Sequence, residues 1–408
     1  MSQPTILCAA YGGGHVNACL PVAMALSARG WTVHFLALTT AYAVVDAAGA
    51  RDAGVTVWQV KDMLTPDDAD IVTHGTSLVG DVDATGPVSR AESVAYQGFG
   101  YCDLVATHGH AKAQSLYADA GRAAFEHGEL AARILNKTAP DIILTTNSPR
   151  AEKALIDAGQ DRGITAIVLN DTLASATNHW LHDPDYADRI LVLSQSVADT
   201  LIASGHAPEK IIVTGNPALE PMAQLRARRA ARNARAQTDG NASGNGRKTV
   251  LYASQPLKGR DADHQSDVIA ALYDLALQRD DWDVPVRLHP NEEPAPAWLK
   301  PPFRCNRGAS LDCDLFDADA VITHGSTLGI EAALAGVPVI LQMGSSVAQN
   351  SRFAEYGIAA ANADIDDLET AIDRAVSQTE AGRFAMPSGA LGNVVEAIDA
   401  MFAEAQHA

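Results

Sequence analysis

The sequence has few aromatic residues and few positive charges. Aromatic side chains make up 5% of its 408 residues, and 30 Lys and Arg stand against 49 Asp and Glu, for a formal net charge of −19. Because nucleic acids bind to basic surfaces, this balance excludes nucleic acid as the main partner. The length predicts two domains, and a hydrophobic content of 47% with so few aromatics is typical of a helix-rich α/β protein.

Cysteines and long apolar runs are also scarce. The five cysteines are scattered, odd in number and without the spacing of metal ligands, which favours reduced thiols. The N-terminal stretch MSQPTILCAA has no basic residue and no long apolar core, so we expect no signal peptide. No apolar run approaches the roughly 20 residues that span a bilayer. We therefore expect a cytoplasmic protein, with peripheral membrane contact left open.

The first 222 residues alternate between short apolar strands and helices. This rhythm predicts a parallel sheet. Residues 62–128 break the rhythm, and within them we interpret 66–87 as a long loop. The predicted strands are 5–10, 32–38, 54–60, 141–146, 165–170, 189–194 and 210–217.

The composition changes after residue 222. Residues 223–248 pass from an arginine-rich run to Gly, Asn and Ser, which predicts a linker. We interpret the arginines as a solvated helix face, with contact to an anionic surface as the alternative. Residues 249–390 form a second predicted α/β domain, and 391–408 an amphipathic helix that is expected to pack on the first domain. The fold class is therefore α/β, with two Rossmann-like, doubly wound domains.

The first candidate site is GGGHV, residues 12–16, at the predicted start of a helix. Glycines allow a tight turn and close approach of a ligand, and the helix dipole is expected to keep His15 neutral, as suits a general base. The pattern lacks GxGxxG and a downstream acidic residue, which disfavours a dinucleotide site. Asp171 and Glu152 are acidic candidates that would assist His15. The alternatives are a capping or packing histidine and ordinary polar residues.

The second candidate site is THGSTLGIEAALAGVPVI, residues 323–340. A strand ends at a histidine, a glycine allows close approach, and Ser and Thr open a helix, which predicts a phosphate cradle. A glutamate one turn along the helix is placed to accept from ribose hydroxyls. The alternative is a capping serine with a solvated glutamate. The predicted contacts are His324, Gly325, Ser326, Thr327 and Glu331.

Two shorter motifs, ASQPL and RLHPNE, place a polar residue and a proline at strand ends. They add Gln255, Pro256, His289 and Pro290 to the same predicted crevice. The alternative is that these residues only form ordinary turns between elements. The sequence DAD at 317–319 precedes a strand instead of ending one. We therefore interpret it as solvated and predict no metal site.

Taken together, these motifs resemble GT-B-fold nucleotide-sugar glycosyltransferases over nearly the whole chain. GGGHVNACLPVAMAL is similar to the N-terminal loop of the bacterial enzyme that adds N-acetylglucosamine to the lipid-linked peptidoglycan precursor, and to the UDP-sugar hydrolase of pseudaminic acid synthesis. HGSTLGIEAALAGVPVI resembles the nucleotide-diphosphate segment of many such transferases, and IIVTGNP is similar to a segment of the non-hydrolysing UDP-N-acetylglucosamine 2-epimerases. SQP, HP and ST resemble elements of bacterial sialyl-, polysialyl- and Kdo-transferases.

The resemblance implies two domains that face each other across a cleft, and metal-independent transfer of a sugar from a UDP- or CMP-linked donor to an acceptor hydroxyl. Surface-glycan or secondary-metabolite biosynthesis is the implied setting, with no cofactor besides the substrate. It implies that His15 is the base or the residue nearest the acceptor hydroxyl, and Asp171 stays the strand-end candidate that would assist it. It implies that His289, Gly325, Ser326 and Thr327 hold the donor phosphate and that Glu331 contacts the ribose. The predicted donor contacts also include Gly13, Gly14, Gln255, Pro256, Pro290 and His324.

Two alternatives stay open beside glycosyl transfer. One is a nucleotide-sugar hydrolase or 2-epimerase of the same fold, and the other is a non-catalytic nucleotide-sugar-binding protein. The sugar, the base, the acceptor, the stereochemical outcome and the oligomeric state are left open as well.

Overall fold

The computed structural model divides into two compact units. The first contains Met1–Ala174, Asn178–Ala218 and Gly389–Ala408, and the second contains Ser175–Thr177 and Leu219–Ser388. The residues that the structure describes are 3–80, 86–175, 178–238, 247–289, 292, 296–305, 310–377 and 383–405.

The first unit is built on a parallel sheet of seven strands. Its strands are β1 (Thr5–Ala10), β2 (Thr32–Ala37), β3 (Thr56–Trp58), β4 (Ile142–Thr145), β5 (Thr165–Leu169), β6 (Arg189–Val192) and β7 (Ile211–Val213). They run in the order β3-β2-β1-β4-β5-β6-β7, with every neighbouring pair parallel. The chain winds outward in both directions from β1 and β4. The loops after β1, β4 and β5 therefore leave the same edge side by side, at the point where ligands bind in doubly wound sheets.

Nine helices of the described residues belong to this unit. They are α1 (Gly14–Ala28), α2 (Ala41–Ala47), α3 (Ala69–Val79), α4 (Arg90–His108), α5 (His110–Ala120), α6 (Gly128–Thr138), α7 (Ala151–Asp161), α8 (Gln195–Ala203) and, at the end of the chain, α15 (Ala390–Ala405).

The long loop predicted within 62–128 is wrong, because α3, α4 and α5 occupy most of that segment. Helices α3 and α4 pack closely through glycine. A β-carbon on Gly75 would lie 2.0 Å from the carbonyl oxygen of Val94, and one on Gly98 would lie 2.1 Å from that of Ile71. These glycines, which in the sequence are typical of loops, thus allow two helices to approach each other. Residues 81–85 of this prediction lie outside the described residues.

Helix α15 packs on the first unit. Val394, Val395, Ile398 and Met401 are buried in the same apolar core as residues of α1, β1 and β2. The indole N–H of Trp31 donates to Oδ1 of Asp399 at 3.0 Å. An apolar face and polar contacts, which also include Asn393 with the carbonyl oxygen of Thr214 and Asp399 with Arg29, therefore fix this helix against the first unit.

The second unit is also a parallel α/β unit. Its strands are β8 (Lys248–Ala253), β9 (Trp282–Asp283), β10 (Pro285–Arg287), β11 (Arg304–Cys305), β12 (Ala320–Thr323), β13 (Val339–Gln342) and β14 (Ala359–Ala363). Its helices are α9 (Glu220–Thr238), α10 (Arg260–Gln278), α11 (Leu311–Asp317), α12 (Thr327–Leu334), α13 (Ser346–Ser351) and α14 (Leu368–Ser377). The strand order is β11-β10-β8-β12-β13-β14, and β9 pairs with β8. The two doubly wound units confirm the predicted fold class.

Helix α9 occupies the first part of the predicted linker 223–248. The Arg229 guanidinium donates to the carbonyl oxygens of Leu315 and Phe316, the latter at 2.7 Å, and Arg232 lies over the Phe316 ring. These carbonyls belong to the last turn of α11, where no intrahelical donor remains for them. Arg229 and Arg232 therefore pack α9 against α11, while Arg226, Arg228 and Arg235 are exposed, as expected of a solvated face. Residues 239–246 lie outside the described part of the chain.

Among the helices that the structure describes, none combines the length and apolar character needed to cross a bilayer.

Candidate functional site

Polar side chains gather where β1, β4 and β5 of the first unit end. His15 lies in the first turn of α1, after β1. Thr146 and Ser148 follow β4, and Asp171 follows β5. Because these strands are parallel neighbours, residues distant in sequence meet at one edge of the sheet.

The His15 imidazole is held on both of its nitrogens. Its Nδ1 lies 2.8 Å from Oδ2 of Asp171 and 2.9 Å from Oγ1 of Thr146, and its Nε2 lies 3.1 Å from Oγ of Ser148. A carboxylate accepts hydrogen bonds only, so Nδ1 carries a proton toward Asp171. The structure thus brings together His15 and Asp171, the two residues that the sequence predicted to be catalytic.

Asp171 reverses the expected effect of the helix dipole on His15. Burial lowers the pKa of His15, but the hydrogen bond and charge of Asp171, with a contribution from Glu152, outweigh burial and raise the pKa to about 9. The sequence-based expectation of a neutral histidine is therefore wrong, because a carboxylate in direct contact outweighs the partial charge of a helix terminus.

The glycines before His15 are required by their surroundings. A β-carbon on Gly12 would lie 1.8 Å from Oγ1 of Thr40, and Gly13 has a φ of +74°. A β-carbon on Gly14 would lie 3.7 Å from Oδ2 of Asp171. Gly13 and Gly14, which were expected among the donor contacts, thus lie in the first unit and shape the loop that presents His15.

Glu152 lies beneath this loop with no exposed surface. Its Oε1 accepts from the backbone N–H of Tyr11 at 2.9 Å, and its Oε2 accepts from the N–H of Ser148 at 3.2 Å and from the hydroxyl of Thr146. Burial raises its pKa, an effect that the charge of His15 opposes. Glu152 therefore ties the β1–α1 loop to the β4–α7 loop.

Asn216, in the IIVTGNP segment, fixes the backbone of Asp171. Its Nδ2 donates to the carbonyl oxygen of Asp171 at 2.8 Å, and its Oδ1 accepts from the N–H of Ala218 at 2.9 Å. Sequence reasoning did not assign this role. The signal was an Asn–Pro pair shortly after β7, on the same edge of the sheet as Asp171 but two strands away from β5.

Arg150 also lies on the β4–α7 loop, in an unusual backbone conformation. Its φ of 69° and ψ of −120° are values that glycine adopts readily and other residues rarely do. Its guanidinium carbon lies 5.2 Å from the centre of the Tyr11 ring. Nothing in the sequence marked this position.

In the second unit, Ser326 is the N-cap of α12. Its Oγ accepts from the N–H of Leu328 at 3.4 Å, while the N–H groups of Gly325 and Ser326 donate to Oγ1 of Thr323 at 3.2 and 3.0 Å. Two amides of the predicted phosphate cradle are thus already bonded within the turn. The side chain of Thr327 is exposed at the start of the helix and stays available to a ligand.

His324, one of the predicted donor contacts, is buried in this structure. It has no exposed surface, and its Nε2 lies 3.2 Å from the hydroxyl of Tyr252. Burial, assisted by the charge of His264, lowers the pKa of His324 to about 4. In this structure, His324 is therefore a neutral ring packed beneath the strand edge.

Glu331 lies on α12, partly buried. Burial raises its pKa to about 7, an effect that Arg287 opposes and Asp312 increases. At neutral pH its carboxyl group is therefore close to its titration midpoint, so it has both a donating and an accepting form. Either form suits the predicted hydrogen bond to a ribose hydroxyl.

Glu292 connects the ASQPL and RLHPNE motifs. Its Oε1 accepts from the hydroxyl of Ser254 at 2.8 Å, and its Oε2 accepts from the N–H of His289 at 2.8 Å. The carbonyl oxygen of Gln255 accepts from Gln265 at 2.9 Å. Of the predicted donor contacts here, Gln255, Pro256 and His289 are described, and Pro290 lies outside the described residues.

In the described part of the chain, no group of three or more His, Cys, Asp or Glu side chains is placed to hold a metal ion. In the DAD sequence, Oδ2 of Asp319 accepts from the backbone N–H of Thr249 at 2.9 Å, and Asp317 faces Arg232. These carboxylates therefore have structural partners.

Searches against protein-family models and against curated proteins give no match to this sequence. Solved structures are similar in fold. The UDP-GlcNAc 2-epimerase of Methanocaldococcus jannaschii, in complex with UDP-GlcNAc and UDP, is 11% identical, with a TM-score of 0.58 over 97% of this chain and 99% of its own. That of Neisseria meningitidis, bound to UDP-GlcNAc, is 10% identical, with a TM-score of 0.57 over 98% and 100%. The glycotransferase of kitacinnamycin is 14% identical, with a TM-score of 0.50 over 98% and 95%. The chain therefore has the GT-B fold that its motifs implied.

Proposed function

We propose that this chain is an enzyme that epimerises a UDP-linked amino sugar at carbon 2, with His15 as the group that returns the proton to the sugar. The observation that carries this proposal is the anchored imidazole. Asp171 holds Nδ1 at 2.8 Å, so proton exchange with a substrate takes place at Nε2. A ring anchored through Nδ1, with an Nε2 proton that contacts only the hydroxyl group of Ser148 among the described residues, suits general acid catalysis.

The protonation state of His15 favours a reaction in which the histidine donates a proton to the substrate. Its pKa is raised to about 9 by Asp171 and Glu152 against the effect of burial. At neutral pH, only about one His15 in a hundred is then deprotonated. Inversion at carbon 2 breaks the carbon–hydrogen bond on one face of the sugar, and its proton passes to a base and on to solvent. A new carbon–hydrogen bond forms on the other face with the Nε2 proton of the His15 imidazolium, which solvent then replaces. Activation of an acceptor hydroxyl needs the scarce neutral form instead.

The second unit is the proposed nucleotide-binding unit. Thr327 presents an exposed side chain at the first turn of α12, where the helix dipole favours an anion such as a diphosphate. Glu331, with a pKa of about 7 because of burial, is the proposed ribose contact on the same helix. UDP and UDP-GlcNAc are the first ligands to test, since structures of similar fold contain them.

The test is incubation of the protein with UDP-GlcNAc, without any acceptor, followed by proton NMR of the products. We expect the C2 epimer of the substrate to accumulate to a constant ratio. His15→Gln is expected to lose this activity while UDP still raises its melting temperature, as binding to the native state requires. Free UDP with an uninverted sugar would assign a hydrolase instead. A thermal shift without any product would assign a binding protein.

Glycosyl transfer is the second candidate, and one contact favours it. The Ser148 hydroxyl lies 3.1 Å from Nε2 of His15, so a hydroxyl group fits at hydrogen-bonding distance from the proposed base. A transferase would release UDP only when a hydroxyl-bearing acceptor is present. A panel of sugar and aromatic alcohol acceptors, with UDP release measured for each, distinguishes the two: release that does not depend on acceptor contradicts transfer.

A further inference from the structure

We infer that Glu152 is a positioning residue for His15, and that it acts through the hydroxyl of Thr146. This inference rests on the proposed role of His15 in proton transfer. It assigns a specific task to Glu152, which the sequence offered only as a candidate to assist His15, and to a threonine that the sequence motifs do not mark out.

The carboxylate of Glu152 is matched to its surroundings as an acceptor. Its three neighbours, the N–H of Tyr11, the N–H of Ser148 and the O–H of Thr146, are all donors to it. A glutamine in its place would direct an NH₂ group against a donor, which leaves both groups without a partner. Burial raises the pKa of Glu152, whereas the charge of His15 and the three donors lower it and so favour the carboxylate.

The contacts of Glu152 converge on the His15 ring. Thr146 lies 2.9 Å from Nδ1 of His15, and Ser148 lies 3.1 Å from Nε2. Glu152 binds both of these residues, and it also binds Tyr11 in the loop that carries His15. One buried side chain therefore holds the groups on both edges of the imidazole.

Thr146 connects the two ionisable groups directly. Its single hydroxyl proton goes to Glu152, so its oxygen lone pairs face Nδ1–H of His15 as an acceptor. The Nδ1 proton is thus shared between Oδ2 of Asp171 and Oγ1 of Thr146. Transfer of that proton to Asp171, or through Thr146 to Glu152, leaves the number of protons in the cluster unchanged, since each step breaks one N–H or O–H bond and forms another.

A purely structural anchor would need only the two backbone contacts. The third contact, with the Thr146 hydroxyl, links the carboxylate to a group that also contacts the imidazole. The negative charge of Glu152 raises the pKa of His15, although its effect is smaller than those of burial and Asp171. The ionisable groups that face His15 or Glu152 from the neighbouring elements are Asp171, Tyr11, Tyr96, Cys19 and Tyr186.

The test is an NMR titration of the His15 imidazole nitrogens in the full-length protein, which needs no substrate. Thr146→Val removes the hydroxyl with little change in shape, and we expect the His15 pKa to fall by about 0.5 unit or more. Thr146→Ser keeps the hydroxyl and is expected to restore the wild-type value. The control is Asp157→Asn, which removes a carboxylate that pairs with Lys153 on α7, the helix of Glu152. It should leave the His15 pKa unchanged.

Glu152→Gln is the direct variant, and the double variant with Thr146→Val completes the cycle. If Glu152 acts through Thr146, the second substitution adds little to the first. In turnover, the alkaline limb of the pH–kcat profile is expected to move to lower pH with KM unchanged. If Glu152→Gln does not fold, the Thr146 pair alone decides the matter.

An unchanged His15 pKa in Thr146→Val, with only a lower melting temperature, would overturn the inference and leave Glu152 as a structural anchor. The proposed function fails separately. If the pKa shifts as expected and no nucleotide-sugar is converted, the positioning role stands and the epimerase proposal falls.

Discussion

Nδ1 of His15 lies 2.8 Å from Oδ2 of Asp171, which joins the loop after the first strand of the sheet to the loop after the fifth. The pair forms because β1, β4 and β5 are parallel neighbours. The side chain of Asp171 is 4% exposed and that of His15 is 31% exposed, so the histidine is the member that can reach a substrate. The carboxylate sets its tautomer and its charge.

Asp171→Asn is predicted to lower kcat by about 100-fold or more, the usual contribution of a positioned acid or base. The amide removes the charge that raises the pKa of His15, and it can present an NH₂ group to Nδ1 and so reverse the tautomer. The measurement is the rate of nucleotide-sugar conversion at neutral pH. Asp185→Asn, an exposed position on the loop before β6, is the control, and an equal loss of rate in both variants would contradict the assignment.

The stability of the fold is predicted to fall at alkaline pH because of His15. Burial lowers its pKa, but Asp171 and Glu152 raise it from 6.5 to about 9. A raised pKa means that this contribution to stability is fully present below pH 6.5 and disappears as the pH passes through about 9. Urea unfolding between pH 6 and 10 measures it.

His15→Gln is expected to flatten that part of the profile, since the glutamine does not titrate. His110→Gln, an exposed histidine of α5, serves as the control and should keep the wild-type slope. A profile that His15→Gln leaves unchanged between pH 6.5 and 9 would show that the folded-state pKa is not raised.

Arg150→Gly is predicted to be more stable than Arg150→Ala by about 1 kcal/mol, because glycine adopts a positive φ without strain. The backbone of Arg150 has a φ of 69° and a ψ of −120°. Both variants lose the guanidinium over the Tyr11 ring, so their difference isolates the backbone strain. Chemical denaturation of the two variants measures it, and equal stabilities would contradict the strained conformation.

Gly98→Ala is predicted to destabilise the first unit by about 2 kcal/mol or more, through overpacking at the contact of α3 and α4. A β-carbon there would lie 2.1 Å from the carbonyl oxygen of Ile71. Gly392→Ala, in α15, has no atom within 4 Å of the added carbon and is the matched control. It should be neutral or stabilising, because alanine is the better helix former. Similar losses in both variants would argue against the close helix contact.

Strand positions could be predicted from the sequence because each strand is a short apolar run with polar residues at its end. The same regularity located His15 and Asp171, since carboxyl ends of parallel strands share one edge. The helical segment α3–α5 could not be predicted in this way. Its Gly75 and Gly98 serve a contact between helices that only the three-dimensional packing reveals.

Residues that act through others were also beyond the sequence. Thr146 and Glu292 are single polar residues on loops, and their roles depend on which second loop lies next to them. The charge state of His15 is a further case. A helix N-terminus alone predicts a neutral imidazole, whereas the contact with Asp171, on a different loop, favours the protonated form.

The most direct test of the central claim is the reaction with UDP-GlcNAc in D₂O, followed by mass spectrometry. If His15 returns a solvent-exchanged proton to the inverting carbon, the epimer formed by the wild-type protein gains one deuterium and the His15→Gln protein forms no epimer. An epimer without deuterium, or epimer formation by His15→Gln at the wild-type rate, would contradict the account.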